Sequence, residues 1–309
     1  MTVEKKTASN RIAGLDRLRI LAALGIVCFH VLTGVGQSIG HAGLPAFLML
    51  SCALVTIKRR GEGLGEFTAQ RAERLLMPWL FWSVVYLVFR LLSRAYARKD
   101  FGELFTLQTL LVGTGPHLWY LTYAFVMCVI VYVVHRRVMN SSPDITVVSG
   151  SILGLAFFLL SSLLVTSVPE PFRQWLFGLP AVPLGFVLGY AYLLLSTRKR
   201  RIFYIALVVA VVLESVLIGI FRGYELAVPY GVAVIFVCFA FLGNSRTDRL
   251  TYRWASLTFG IYLIHPLVIS LFDIVGLRKV NHYMHIAAVF LTTSVVTLVL
   301  QKTPLRRFI

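Results

Sequence analysis

The chain has few acidic residues, few cysteines, and no stretch polar enough to form a separate water-soluble domain. Asp and Glu together number 13 of 309 residues, against 30 Lys and Arg, which gives a formal net charge of +17. The four cysteines all lie inside apolar runs and lack the spacing of metal ligands: Cys28, Cys52, Cys128 and Cys238. We therefore expect no disulfide framework, no metal site and no second domain, with residues 1–309 as one unit.

The chain is instead rich in long apolar runs. Its hydrophobic content is 58% and its mean hydropathy is +0.81, whereas soluble domains contain about 45–50% apolar residues. The basic residues fall in short clusters between these runs, so no soluble basic face exists and we expect no nucleic-acid partner. The composition predicts an all-α polytopic integral membrane protein whose surroundings are membrane lipids.

Run length predicts about ten transmembrane helices. The basic clusters alternate along the chain, and the excess on one side places both termini in the cytoplasm by the positive-inside rule. The N-terminus lacks a small-residue cleavage pattern after its first apolar run, so we expect no cleaved signal peptide. We find no internal repeat. The predicted spans are 15–35, 42–57, 75–92, 117–134, 145–167, 175–195, 202–221, 225–242, 255–276 and 285–301.

Ionisable residues inside three spans are candidates for a functional site. His30 follows Arg19 by eleven residues, about 16 Å of helix, which places His30 near the bilayer midplane if Arg19 lies at the cytoplasmic face. His265 and Glu214 lie at similar depths after their own basic clusters. Such groups are costly in a membrane and are by default functional. For each one, a structural hydrogen bond to a neighbouring helix remains the alternative.

Two further groups of residues have both a functional and a structural interpretation. Arg71 and Arg74 are three residues apart before the third span, so they could bind phosphate together or simply anchor the helix at the cytoplasmic face. Trp119 and Tyr120, just after His117, could stack on a sugar ring or belong to an interfacial aromatic belt.

These residues resemble the motifs of the acyltransferase-3 family of integral membrane acyltransferases. Arg19 and His30 match its Arg-X10-His pattern, RAERLLMPW matches its paired arginines and proline, and HLWYL and FGIYLIHP match two later segments. GLPAFLMLSCAL is similar to its second-helix motif, with Cys52 where members usually have glycine, and Arg17 stands where many have glycine. The resemblance covers essentially the whole chain and is strongest to compact members that modify surface polysaccharides.

The resemblance implies an O-acyltransferase in a bacterial inner membrane. It would move an acyl group, expected to be acetyl, from cytoplasmic acyl-CoA (acetyl-CoA) to a hydroxyl of a glycan or lipid-linked saccharide at the outer side. Acyl-CoA would be a substrate, with no permanently bound cofactor.

The candidate residues take roles in this reaction. His30 would be the general base, although an acyl-histidine intermediate is an open alternative. Tyr262 and His265 would orient the thioester or His30. Arg19, Arg71 and Arg74 would bind the coenzyme A, and Trp119, Tyr120, Tyr262 and Glu214 are the candidate substrate-binding residues.

Ten helices with ionisable residues at midplane are also typical of a proton-coupled transporter, which is the alternative function. The absence of a repeat and the basic cytoplasmic side favour the enzyme. For the enzyme we expect His30 and His265 to line a single cavity that opens to both membrane faces.

Overall fold

The computed structural model describes residues 12–58, 61–98, 100, 106–243, 248–276 and 281–309. In this part of the chain, thirteen α-helices and a short C-terminal 3₁₀ helix, Pro304–Phe308, form the molecule without β-strands. The α-helices are α1 Ala13–Val31, α2 Gly34–His41, α3 Gly43–Ile57, α4 Leu64–Tyr96, α5 Leu107–Val112, α6 Trp119–Val138, α7 Pro143–Leu164, α8 Phe172–Gly178, α9 Ala181–Leu194, α10 Thr197–Arg222, α11 Tyr224–Leu242, α12 Arg249–Ile274 and α13 His282–Leu300.

The predicted all-α polytopic membrane fold is confirmed. Among the described residues, nine helical stretches are long and apolar enough to cross a membrane, with α2–α3 and α8–α9 each counting as one stretch. The first predicted span, 15–35, corresponds to α1, which is not among these nine stretches and whose first two turns carry Asp16, Arg17 and Arg19. Cytoplasmic termini remain a prediction, and parts of the basic clusters that support it, such as Arg59 and Arg60, lie outside the described residues.

The first apolar run is not one helix through residue 35, as its hydrophobicity predicts. Helix α1 ends at Val31, and α2 begins at Gly34, which has a φ of +61°. Glycine adopts this left-handed conformation without steric cost, so the chain can reverse there. The α2–α3 stretch then packs back along α1, where Gly25 and Gly40 bring the two backbones close together. His30 is consequently the second-last residue of its helix.

Helices α3 and α9 pack along each other at short distance, and glycine on α9 makes the approach possible. A Cβ atom built on Gly185 would lie 2.4 Å from the Met49 carbonyl oxygen, and one on Gly189 would lie 2.6 Å from that of Ala53. This Gly-xxx-Gly pair is a frequent solution in membranes, where small residues allow close backbone contact. The contact therefore forms although α3 has Cys52 at the position where the family that the sequence resembles usually has glycine.

Helix α1 lies at the centre of the bundle. It contacts α2, α3, α11, α12 and α13, so most of its length is surrounded by protein rather than by lipid. Arg19, Ile26 and His30 are separated by seven and four residues along α1, spacings that place them on one helix face. That face meets α3 and α12, and the candidate site lies there.

Candidate active site

Three histidines from distant parts of the sequence meet beside α1. The ring centroids of His30 and His265 are 5.0 Å apart, and those of His117 and His265 are 5.6 Å apart. His265 and His117 are almost completely buried, whereas His30 is half-buried and reaches a cavity. The expected proximity of His30 and His265 is thus confirmed, and His117 is an additional member of the cluster.

A proline in α12 determines how His265 is held. Pro266 has no backbone N–H, so the Tyr262 carbonyl lacks its usual helical donor. The Nδ1 atom of His265 donates to this carbonyl at 2.8 Å and lies 3.2 Å from the Ile261 carbonyl. Because both partners are acceptors, Nδ1 carries the hydrogen in the neutral ring and Nε2 has a lone pair. This buried Nε2 has no hydrogen-bond partner among the described residues.

The loop from Gly113 to Leu118 carries His117 into the interior. Trp79 donates to the Val112 carbonyl at 3.3 Å, and Arg90 donates to the Thr114 carbonyl at 2.9 Å, so both side chains of α4 hold this loop. His117 Nε2 lies 3.3 Å from the Leu263 carbonyl. The loop is therefore fixed between α4 and α12.

This burial excludes the interfacial-belt interpretation of the neighbouring aromatic residues. Trp119, Tyr120 and Tyr123 are 6%, 8% and 1% exposed. They pack in the protein interior, because the loop before α6 enters the bundle instead of running along its surface. The Tyr262 hydroxyl donates to the His117 carbonyl, which ties α12 to the same loop.

His41 lies between two phenylalanine rings. Its ring is stacked on Phe29 with a centroid distance of 4.2 Å and on Phe177 with a distance of 4.4 Å. Phe29 precedes His30 on α1, and Phe177 belongs to α8. The stacking fixes the plane of the His41 ring at the wall of the cavity that His30 reaches.

We call this cavity the histidine cavity; its volume is about 350 Å³. Its lining includes the rings of His30, His41, His117 and Trp119. Arg173, Gln174 and Glu225 also line it, and sequence reasoning did not select them for the site. Arg173 forms an ion pair with Glu170 at 3.7 Å, so the charges at this end of the cavity nearly balance. Arg173 and Glu225 lie in the first turns of α8 and α11, and single charged residues at two helix starts give no detectable pattern in the sequence.

A second cavity of about 290 Å³ lies nearer the start of α1, and we call it the arginine cavity. Arg19 provides its positive charge, and Ser51, Tyr120 and Thr258 provide hydroxyl groups. The Nη1 atom of Arg19 is 3.0 Å from an Oδ1 atom of Asp16, whose side chain is only 3% exposed. Asp16 therefore orients the guanidinium, and an acid three residues before an arginine is the sequence signal for this role.

The two cavities correct the prediction of one continuous cavity. Ile26, Leu44 and Tyr262 line both, and they stand between His30 and Arg19. His265 lines neither cavity and packs behind His30 instead, since it is 0% exposed. The predicted shared site is thus the pair His30 and His265, of which only His30 lines a cavity, the histidine cavity.

Arg71 and Arg74 differ in their surroundings although they are three residues apart. Arg71 is half-buried, with its guanidinium 5.2 Å from the centroid of the Phe67 ring, whereas Arg74 is exposed. Neither residue lines the arginine cavity. Their role in coenzyme A binding remains a prediction.

Glu214 does not belong to this site. It lies on α10, which packs against α7 and α11, whereas the two cavities are built around α1, α3, α6 and α12. The prediction that Glu214 belongs with His30 and His265 was made from their similar depth in the membrane. It was wrong because equal depth does not place two helices side by side. Within the described residues, no group of three or more His, Cys, Asp or Glu side chains has the arrangement of a metal site.

The fold and the site define a multi-pass membrane protein with a buried histidine cluster between two cavities of different polarity. Residues 12–301 match the family model of the acyltransferase-3 family, described as an acyltransferase domain. The chain therefore belongs to the acyltransferase-3 family and is a membrane acyltransferase. Comparisons with curated proteins and with solved structures found no match.

Proposed function

We propose that the protein transfers an acyl group, with acetyl as the expected group, from acyl-CoA to a hydroxyl of a glycan or lipid-linked saccharide. The observation that carries this proposal is the position of His30 and Arg19 on one face of α1, each in its own cavity, with the cavities adjoining. Arg19 would hold an anionic part of the donor, and His30 would act on the acceptor. The protein would lie in a bacterial inner membrane with its arginine cavity toward the cytoplasm.

His30 suits the role of general base. Its imidazole would accept the proton of the acceptor hydroxyl while the oxygen attacks the thioester carbonyl carbon. A C–O bond forms, the C–S bond breaks, and the proton passes from His30 to the departing sulfur of coenzyme A. His30 lines the cavity, so its ring can meet an acceptor hydroxyl bound there.

His265 supports the same step without touching the substrate. Its Nδ1–H donates to the Tyr262 carbonyl on α12, so the Nε2 lone pair can accept a hydrogen bond from a neighbouring side chain. The His30 ring is in contact range of His265. A hydrogen bond from an N–H of His30 to His265 Nε2 would leave the other His30 nitrogen facing the substrate hydroxyl. His265 is thus a positioning residue in this proposal.

The histidine cavity suits a hydroxyl-rich acceptor with little net charge. Trp119 offers an aromatic surface on which a sugar ring can stack, and Gln174 and Glu225 offer acceptors for hydroxyl groups. The opposite charges of Arg173 and Glu225 favour a neutral saccharide over a strongly anionic one. Family membership supports this enzyme over the alternative, a proton-coupled transporter. A transporter would also give the two cavities no chemical role.

Purified protein incubated with acetyl-CoA and a mixture of saccharides tests the proposal. We expect release of free coenzyme A thiol that depends on the saccharide, together with an acetyl ester on the product by mass spectrometry. Surface glycans from cells with and without the gene should differ by the same ester. The proposed reaction would be overturned if no combination of acyl-CoA and saccharide caused thiol release, in protein that is folded and binds coenzyme A.

A further inference from the structure

Among the described residues only three line both cavities, and they come from α1 and from two helices that each pack against α1. Ile26 lies on α1, Leu44 on α3 and Tyr262 on α12. Each of the other described residues along these two walls lines only one of the two cavities. These three side chains therefore occupy the boundary between the arginine cavity and the histidine cavity.

The position of this boundary follows from α1. Ile26 lies seven residues after Arg19 and four residues before His30, about 10 Å and 6 Å of helix rise. A group attached to a molecule held at Arg19 must pass the level of Ile26 to reach His30. His30 lines neither the cavity beside Leu21 and Val232 nor the cavity beside Arg90 and Ser270.

The three boundary residues differ in their freedom to move. The hydroxyl of Tyr262 is tied to the His117 carbonyl, and its ring lies 5.4 Å from those of both His117 and Tyr120, so it forms a fixed side. Ile26 and Leu44 carry no polar atoms and are held by van der Waals contacts alone. Leu44 is half-buried, with free volume on both sides.

We infer that Ile26 and Leu44, facing the fixed ring of Tyr262, form a constriction that limits the size of the acyl group the enzyme accepts. The inference rests on the proposed function, because it requires an acyl group to pass from the arginine side to His30. A short acyl group fits beside two branched aliphatic side chains, whereas each added methylene must displace one of them. Discrimination of one methylene in a tight apolar site is typically about 10- to 200-fold.

Substitution of Leu44 tests the selectivity. In Leu44→Ala we expect the ratio of kcat/KM for butyryl-CoA to that for acetyl-CoA to rise about tenfold or more, and Ile26→Ala should act in the same direction. Leu44→Phe should lower the ratio. Leu75→Ala is the matched control, since Leu75 lines the arginine cavity but not the boundary. An unchanged ratio in Leu44→Ala and Leu44→Phe, with thermal unfolding as in wild type, would overturn the inference.

A labelling experiment tests the constriction without relying on acyl transfer. Leu226→Cys places a thiol in the histidine cavity, in a background where the four native cysteines are replaced by alanine. In sealed vesicles of known orientation, a small charged methanethiosulfonate reagent should label this thiol from one side only. Adding Ile26→Ala and Leu44→Ala should permit labelling from both sides.

The two experiments separate failure of the constriction from failure of the proposed function. If one-sided labelling becomes two-sided while no thiol is released from any acyl-CoA, the constriction stands and the proposed function fails. If acyl transfer occurs but labelling is already two-sided with Ile26 and Leu44 intact, the constriction is wrong and the proposed function stands.

Discussion

The histidine cavity and the arginine cavity share one helix but differ in the chemistry of their walls. The histidine cavity has three imidazole rings and both an acidic and a basic side chain, whereas the arginine cavity has one cation and several hydroxyls. Proton transfer needs groups that gain and lose protons, whereas anion binding needs a fixed positive charge. In the proposed reaction, α1 would therefore separate proton transfer from donor binding along its length.

Removal of His30 should have the largest effect, because it removes the base from the histidine cavity. We expect His30→Ala to lower kcat by about 10²- to 10⁴-fold while KM for acetyl-CoA changes little, since the arginine cavity is intact. The measurement is saccharide-dependent thiol release at equal protein concentration. His285→Ala, a fully buried histidine on α13 outside both cavities, is the control for loss of a core imidazole. Wild-type turnover in His30→Ala would remove His30 from the mechanism.

Removal of Arg19 should have the opposite kinetic pattern. We expect Arg19→Ala to raise KM for acetyl-CoA about 10- to 100-fold, the range for loss of a charge-assisted hydrogen bond, with a smaller fall in kcat. Asp16→Asn should shift KM in the same direction by less, because Asp16 acts by orienting the guanidinium. A fall in kcat with unchanged KM in Arg19→Ala would contradict the assigned roles of the cavities.

Arg71 and Arg74 should contribute unequally to coenzyme A binding. Substitution by lysine retains the positive charge but loses the forked guanidinium geometry. We expect Arg71→Lys to weaken coenzyme A binding about tenfold and Arg74→Lys to weaken it less than threefold, because Arg71 alone turns into the protein. Calorimetry with purified protein measures both. Equal and unchanged affinities would leave both residues as anchors at the membrane face.

The smallest effect should come from Glu214, which lies outside both cavities. We expect Glu214→Gln to leave kcat and KM for both substrates within about twofold of wild type. Glutamine preserves the shape of the side chain, so packing against α7 and α11 should be retained. A tenfold loss of activity with normal thermal unfolding would mean that α10 takes part in the reaction.

The sequence was sufficient to predict the helical class and the meeting of His30 with His265. The helical class follows from run length alone. The meeting of His30 with His265 was predicted from the equal depth of the two residues, which holds for this pair but not for Glu214. The close pairing of α3 with α9 is also encoded locally, in the spacing of Gly185 and Gly189.

The remaining features depend on contacts between distant residues. His117 turns inward because Trp79 and Arg90, 33 and 24 residues from the loop carbonyls they bond, hold that loop. The end of α1 at Val31 depends on the reversal at Gly34, which lies inside the predicted span 15–35. Depth alone could not separate Glu214 from the histidines, because it contains no information about which helices are neighbours.

The most direct test of the account places donor and acceptor on opposite sides of a membrane. Protein of a single orientation is reconstituted in sealed vesicles, with radiolabelled acetyl-CoA on the arginine-cavity side and the saccharide acceptor on the histidine-cavity side. The account predicts acetylated saccharide on the acceptor side, with coenzyme A remaining on the donor side, and none of this product with His30→Ala. Acetylation that occurs only when donor and acceptor are on the same side would contradict it.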